Sequence, residues 1–194
     1  MDQADFTSLA TYVTFMKEDI GREVALYRSG HPAGQLLCAL GLVVYTEVLG
    51  RIHRWNDDRP RFYSGRRGVE ELYLHFNAFV DALSDEHAAW RKAWESAHPT
   101  TDLYEALRSG LVHEYAPKVN AQFRMRGRWP LGIGEESGVL VFEVEGYLKA
   151  FAAAANRLLQ RLMLDPSSSL PPVRYRRDRS PDEGPDASLS TSIG

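Results

Sequence analysis

The chain of 194 residues contains one cysteine, Cys38, and therefore cannot form an intrachain disulfide. Cys38 lies in the apolar run LLCALGLVV, where we expect it to be a small buried side chain. The six histidines include no H-x-H or H-E-x-x-H pair, and a lone cysteine excludes a zinc knuckle. The sequence therefore predicts no metal site.

Glycine motifs for nucleotide binding are missing as well. The sequence has no P-loop and no dinucleotide-binding fingerprint. The one G-x-G, from Gly132 to Gly134, does not lead into a helix that could bind phosphate. We therefore expect no cofactor.

Long hydrophobic runs are also scarce. The longest one, Leu36 to Leu49, is interrupted by Thr46 and Glu47 and is shorter than the roughly 20 residues that span a bilayer. The N-terminus, MDQADFTSL, lacks the basic region and apolar core of a secretory signal. These features predict a cytoplasmic protein without membrane contact.

What the sequence does have is helical periodicity. Apolar residues make up 44% of the chain, and many recur at spacings of three and four. The length is typical of one domain. We expect a mainly α fold, an up-and-down helical bundle, with its most buried helix at 33–55. The predicted helices cover 6–27, 33–55, 69–83, 86–97 and 145–164. A further helix begins at a cap formed by Thr100 or Thr101 and ends before Pro117.

Two segments depart from this period. Residues 120–126 alternate between apolar and polar side chains, and residues 139–144 are rich in valine. Glycines and a proline lie between the two segments. This pattern predicts a small β-hairpin with a long loop before the last helix. After Asp165, serine, proline, aspartate and arginine dominate, so we expect a domain at 1–165 and a disordered tail at 166–194.

Charge is unevenly distributed although the net charge is only −3. Six arginines face two acids in 51–67, and five basic residues face one acid in 108–128. Four of the balancing acids follow elsewhere in the sequence: Glu135, Glu136, Glu143 and Glu145. This distribution favours a basic face for phosphates, and the alternative is two solvated loops. The candidate nucleic-acid contacts are Arg51, Arg54, Lys118, Arg124 and Arg126.

The segment from Arg108 to His113 combines an arginine and a histidine five residues apart, near the end of an amphipathic helix. On an ideal α-helix five positions rotate by about 140°, so the two side chains do not share a face. They converge only if the helix deforms, which Gly110 would ease, or if a second copy contributes its own pair.

This R-x4-H sequence in a late helix of a helical bundle resembles the HEPN superfamily. With Tyr115 it reads R-x4-H-x-Y, which is similar to HEPN toxins that are paired with minimal nucleotidyltransferases. In those pairs the partner modifies the tyrosine, which here would be Tyr115. Ser109 stands where the family usually has asparagine or aspartate, and it is also a short polar residue.

The resemblance implies a homodimeric, metal-independent endoribonuclease with a toxin or defence role, and a possible nucleotidyltransferase-type antitoxin as partner. Arg108 and His113 would be catalytic. Histidine can move the proton of the ribose 2′-OH, and the planar fork of arginine can stabilise charge on the phosphate.

Other interpretations remain open. The chain can be a non-catalytic HEPN-like module that binds a nucleotide or a partner protein, or a helical interaction domain outside the family. Arg108 and His113 would then be structural. Glu47, on the most apolar helix, has Arg51 as its local partner one turn away, or it orients Arg108.

Overall fold

The structure is a computed structural model that describes residues 3–32, 34–58, 68–109, 120–165 and 167–170. The fold is mainly helical with a small sheet before the last helix, as predicted. The helices are α1 (Gln3–Arg28), α2 (Gln35–Asp58), α3 (Gly68–Leu83), α4 (Asp85–Ala97), a π-helical turn (Glu105–Ser109) and α5 (Val144–Leu164). The strands are β1 (Ala121–Arg124), β2 (Ile133–Glu136) and β3 (Val139–Glu143).

Helix α2 lies at the centre and packs against α1, α3 and α5. Leu42, Val43 and Leu49 on this helix are completely buried. Gly50 allows α3 to approach closely, because a Cβ at this position would lie 1.8 Å from the carbonyl oxygen of His75. The predicted central helix is therefore present, and its apolar character is explained by neighbours on several sides.

The same helix is the one candidate membrane span among the described residues. It is apolar over Gln35–Asn56, 22 residues, which exceeds the run seen in the sequence and is long enough to cross a bilayer. Inside the protein, 44% of its most apolar window is buried. The core helix of a water-soluble protein meets the same criteria, so cytoplasmic localisation stays a prediction.

The sheet has the strand order β1-β3-β2. The two predicted strand segments are present as β1 and β3, but they pair in parallel, so they do not form the expected hairpin. The hairpin lies instead between β2 and β3, which pair antiparallel and are joined by Ser137 and Gly138, both at positive φ. Alternation identifies a strand but not its partner, and the predicted loop itself contains β2.

Glu143, the last residue of β3, is buried and holds the loop that follows β1. Its carboxylate accepts hydrogen bonds from the backbone N–H groups of Arg128, at 3.0 Å, and Trp129, at 2.8 Å. The backbone approaches so closely that a Cβ at Gly127 would lie 1.6 Å from a carboxylate oxygen. This buried acid therefore has a structural role.

His87 connects α4 to the segment before β2. Its ring is 3% exposed, and Nε2 lies 2.9 Å from the carbonyl oxygen of Leu131. Nδ1 lies 2.8 Å from the hydroxyl of Ser84, the N-cap of α4. In the neutral tautomer Nε2 donates to the carbonyl and Nδ1 accepts from the hydroxyl, so both ring nitrogens are satisfied.

Residues beyond the predicted domain boundary contact the helical body. Ser169 accepts a hydrogen bond from the Trp55 indole at 2.8 Å and exchanges two backbone bonds with the Asn56 side chain, at 3.0 and 3.1 Å. Leu170 packs against the core. The ordered contacts therefore extend past residue 165, and residues 171–194 of the predicted tail lie outside the described residues.

Candidate active site

Arg108 is positioned by the π-helical turn. The Asp102 carboxylate accepts a hydrogen bond from the Glu105 N–H at 2.6 Å, so Asp102 caps this segment rather than the predicted Thr100 or Thr101. Leu107, next to Arg108, is completely buried and fixes the orientation of the turn. π-Helical turns are rare and occur frequently at functional sites.

The Arg108 side chain lies between a carboxylate and an aromatic ring. Its Nε is 3.4 Å from Oε2 of Glu47, and its guanidinium carbon lies 5.4 Å from the ring centre of Tyr104. The Tyr104 hydroxyl donates to the same Glu47 oxygen at 2.8 Å. One carboxylate oxygen thus joins the phenol and the guanidinium, and α2 is connected to the π-helical turn.

Tyr104 remains protonated in this arrangement. Burial of the phenol, then its hydrogen bond to Glu47, raise its pKa far above the usual value. The hydroxyl therefore acts as the donor in its hydrogen bond to Glu47. An ionic contact combined with a cation–π contact restricts the rotamers that Arg108 can adopt.

Arg108 is held but not enclosed. Nε is buried, and the contact with Glu47 does not meet hydrogen-bond geometry. The side chain is nevertheless 31% exposed, compared with 15% for Glu47. Because Nε contributes almost nothing to this exposure, the exposed surface belongs to other atoms of the arginine. Part of the Arg108 side chain is therefore accessible from outside, although Glu47 and Tyr104 hold it.

Of the sequence-predicted site residues, the structure brings together Arg108 and Glu47. The backbone of Ser109 ends the π-helical turn, while its side chain lies outside the described residues. His113, Tyr115 and Lys118 also lie outside them. Sequence analysis missed Tyr104, although an aromatic residue four positions before an arginine on a helix is a signal for such a pair.

The predicted contacts on α2 are half-buried. Arg51 and Arg54 both have intermediate exposure, and Arg54 Nη1 lies 3.3 Å from Nδ1 of His75 on α3. Since arginine can only donate, His75 accepts through Nδ1. Residues 59–67, which hold the other arginines of this basic segment, lie outside the described residues.

The acids that appeared distant in the sequence lie beside the arginines in the fold. Glu136 on β2 forms ion pairs with Arg124, at 3.3 Å, and with Arg128. Antiparallel pairing to β3 brings β2 back toward the segment that follows β1, and sequence separation hid this proximity.

Glu145 at the start of α5 likewise lies beside two arginines that are distant from each other in the sequence. It forms an ion pair with Arg28 at the end of α1 and lies 4.0 Å from Nε of Arg126. Arg126 is still 69% exposed. Glu136 and Glu145 therefore balance part of the positive charge of the arginines in 124–128, and a basic face in 108–128 stays a prediction.

Among the described residues neither a cluster of potential metal ligands nor an exposed thiol is present. They contain no group of three or more histidine, cysteine, aspartate or glutamate side chains placed to hold a metal ion. Cys38 is buried, and burial raises the pKa of its thiol to about 11. A thiol in this state is a poor nucleophile.

Comparisons of the chain with protein-family models, with curated proteins and with solved structures found no match.

Proposed function

We propose that the protein is a metal-independent endoribonuclease of the HEPN type. The observation that carries this proposal is the partly exposed side chain of Arg108, which Glu47 and Tyr104 hold at a π-helical turn. Stabilisation of a phosphorane needs a cation whose position is set before the substrate arrives.

In the proposed reaction His113 removes the proton of a ribose 2′-OH, and the 2′ oxygen attacks the adjacent phosphorus. The bond from phosphorus to the 5′ oxygen breaks, and that oxygen takes up a proton. The products are a 2′,3′-cyclic phosphate and a 5′-hydroxyl. Arg108 stabilises the charge that develops on the non-bridging oxygens, and Glu47 keeps its side chain in place.

The π-helical turn supports the pairing of Arg108 with His113. In a π-helix the hydrogen bonds join residues five positions apart, so residues i and i+5 lie on the same side. The R-x4-H spacing is i, i+5. Arg108 lies within the π-helical turn Glu105–Ser109, and the proposed pairing requires that this geometry continue to His113, which lies outside the described residues.

A second copy of the chain would supply a second Arg108 and His113, and we propose a homodimer with a composite site. Light scattering at tens of micromolar protein should then give twice the monomer mass. A monomer at this concentration would argue strongly against the ribonuclease. We also propose Tyr115 as the residue that a nucleotidyltransferase-type partner would modify.

The decisive experiment measures RNA cleavage in excess EDTA, with identification of the product ends. His113→Ala should lower the rate by about 10²–10⁴-fold, as expected for loss of a general acid or base. His31→Ala, a histidine exposed between α1 and α2, is the matched control and should cut normally. Equal cleavage by the His113→Ala protein would show that the activity comes from a contaminant.

Glu47→Gln and Tyr104→Phe test the supporting contacts. Both should reduce cleavage less than Arg108→Ala does, because the guanidinium is retained but less restricted. Arg22→Ala on the exposed surface of α1 controls for loss of one positive charge. If Arg108→Ala has no more effect than Arg22→Ala, Arg108 does not act in the reaction.

One observation favours a second candidate, a non-catalytic module. Arg108 already has a carboxylate partner, and so do Arg124 and Arg126. In this case RNA would not be cut, whereas Arg108→Ala would abolish binding of a nucleotide or a partner protein without unfolding the chain.

A further inference from the structure

The outer face of α1 carries a stripe of exposed side chains, while another side of this helix packs into the core. Five residues form this α1 stripe: Tyr12, Phe15, Asp19, Arg22 and Leu26. They follow one another at alternating spacings of three and four residues, which is the pattern of the a and d positions in a coiled coil. The α1 stripe therefore has the form of one half of a helix pair.

Three of the five side chains are large and mostly apolar. Tyr12 is 63% exposed, Phe15 54% and Leu26 39%. They lie on one face of the helix, so they differ from the single apolar side chains that are scattered over any protein surface. Another helix can cover a face of this kind.

The centre of the α1 stripe is charged and identifies the occupant. Asp19 and Arg22 form an ion pair within α1 at 3.3 Å, and their side chains are 54% and 68% exposed. When a second copy of α1 packs antiparallel, with a twofold axis between residues 20 and 21, Asp19 of each copy lies opposite Arg22 of the other. The four charges then alternate in sign across the contact, so the helix is complementary to itself.

The same register places apolar residues opposite each other. Phe15 precedes Asp19 by four positions and Leu26 follows Arg22 by four, so Phe15 of each copy lies opposite Leu26 of the other. A shift of seven residues in either direction would place Phe15 opposite Asp19, or Leu26 opposite Arg22. A parallel pair would place Asp19 beside Asp19 and Arg22 beside Arg22, and like charges at such positions destabilise the pair. The side chains therefore favour the antiparallel register.

We propose that the α1 stripe is a contact between two copies of this chain, which pack antiparallel through α1. Asp19 and Arg22 set the direction of the pair, and Phe15 and Leu26 supply its apolar contact. The contact does not rest on the proposed ribonuclease, since no residue of the α1 stripe belongs to the proposed active site.

Sedimentation equilibrium of the full chain measures the Kd of self-association, and the natural chain should approach twice its mass of 21.9 kDa at tens of micromolar. Asp19→Arg and Arg22→Asp should each raise the Kd by about tenfold or more, because each replaces two attractions across the twofold axis by two repulsions. Glu18→Arg, on the exposed surface of α1 outside the stripe, changes the charge as Asp19→Arg does and should leave the Kd unchanged. Arg22→Ala introduces no repulsion and should still associate at tens of micromolar.

An equimolar mixture of the Asp19→Arg and Arg22→Asp proteins tests the pairing itself. In the mixed pair each position 19 again faces an opposite charge at position 22. The mixture should therefore associate with a Kd close to that of the natural chain, although neither variant does so alone. Failure of the mixture to associate better than its components would overturn the proposed register.

Phe15→Ser tests the apolar part of the contact. This change should raise the Kd by about 100-fold or more, because burial of two phenylalanine rings is lost. Leu74→Ser, on the exposed surface of α3, is the matched control. A natural chain that stays monomeric at tens of micromolar overturns the proposal, and so does a dimer whose Kd is the same for the natural chain, Asp19→Arg and Phe15→Ser. RNA cleavage is measured separately, so failure of the α1 contact is distinguished from failure of the ribonuclease.

Discussion

Replacement of Glu143 by glutamine tests the structural role of this buried acid. The carboxylate accepts one N–H on each oxygen, from Arg128 and Trp129. A glutamine of the same shape has one oxygen and one NH₂ group, so it can accept only one of the two bonds. The other backbone N–H would then face a donor, in a place where Glu143 is 1% exposed.

The magnitude follows from counting unpaired groups. One backbone N–H and one amide NH₂ would be left without an acceptor, at about 1–3 kcal/mol each. We expect Glu143→Gln to lower the free energy of unfolding by about 2–6 kcal/mol. For a domain of this size each kcal/mol corresponds to about 2–4 °C, so the melting temperature should fall by about 4–24 °C.

Urea unfolding followed by circular dichroism provides the measurement. Glu18→Gln on the exposed side of α1 is the matched control, and it should change the stability by no more than about 0.5 kcal/mol. A loss below about 1 kcal/mol for Glu143→Gln would refute the reasoning, because it would mean that water satisfies the backbone N–H and the amide NH₂.

Two further predictions concern the end of the chain and pH. Truncation after Leu170 should leave the melting temperature almost unchanged, whereas truncation after Asp165 removes the contacts of Ser169 and should lower it by several degrees; equal melting temperatures would show that these contacts do not stabilise the domain. Burial lowers the pKa of His87 below 6.5, against the opposing hydrogen bond to Leu131, so the unfolded chain binds a proton more readily than the folded one. The stability that neutral His87 contributes is constant above about pH 6.5 and is lost as the pH falls below it. The urea midpoint should therefore decrease more steeply on acidification in the natural chain than in His87→Gln. Identical pH profiles of the two proteins would contradict this assignment.

Helices were predictable from this sequence because their signals are local. The predicted ranges 69–83 and 145–164 match α3 and α5 to within one residue, since apolar spacing and end signals act over a single turn. The cap at Asp102 was missed because Thr100 and Thr101 have the same chemistry, and only the backbone path decides which side chain reaches the free N–H.

Contacts between distant segments were not predictable from pattern. The motif pointed to Arg108, and Glu47 was considered as one of its possible partners, but the distance between them depends on how α2 packs against the π-helical turn. The proximity of Glu136 to Arg124 depends on the strand order, which alternation does not encode. The sequence therefore indicated which groups carry charge but not which of them neutralise each other.

The position of β3 in the centre of the sheet has a consequence for synthesis on the ribosome. β1 and β2 are both made first, yet neither pairs with the other, and each finds its only partner in this sheet when β3 emerges. Until then the backbone N–H and C=O groups of both strands lack their native hydrogen-bond partners in this sheet. The loop that follows β1 also lacks the Glu143 carboxylate that holds it. The sheet can therefore form only after α1 to α4 have left the ribosome, and a chain stalled before residue 139 would present two unpaired strands that can associate with other chains.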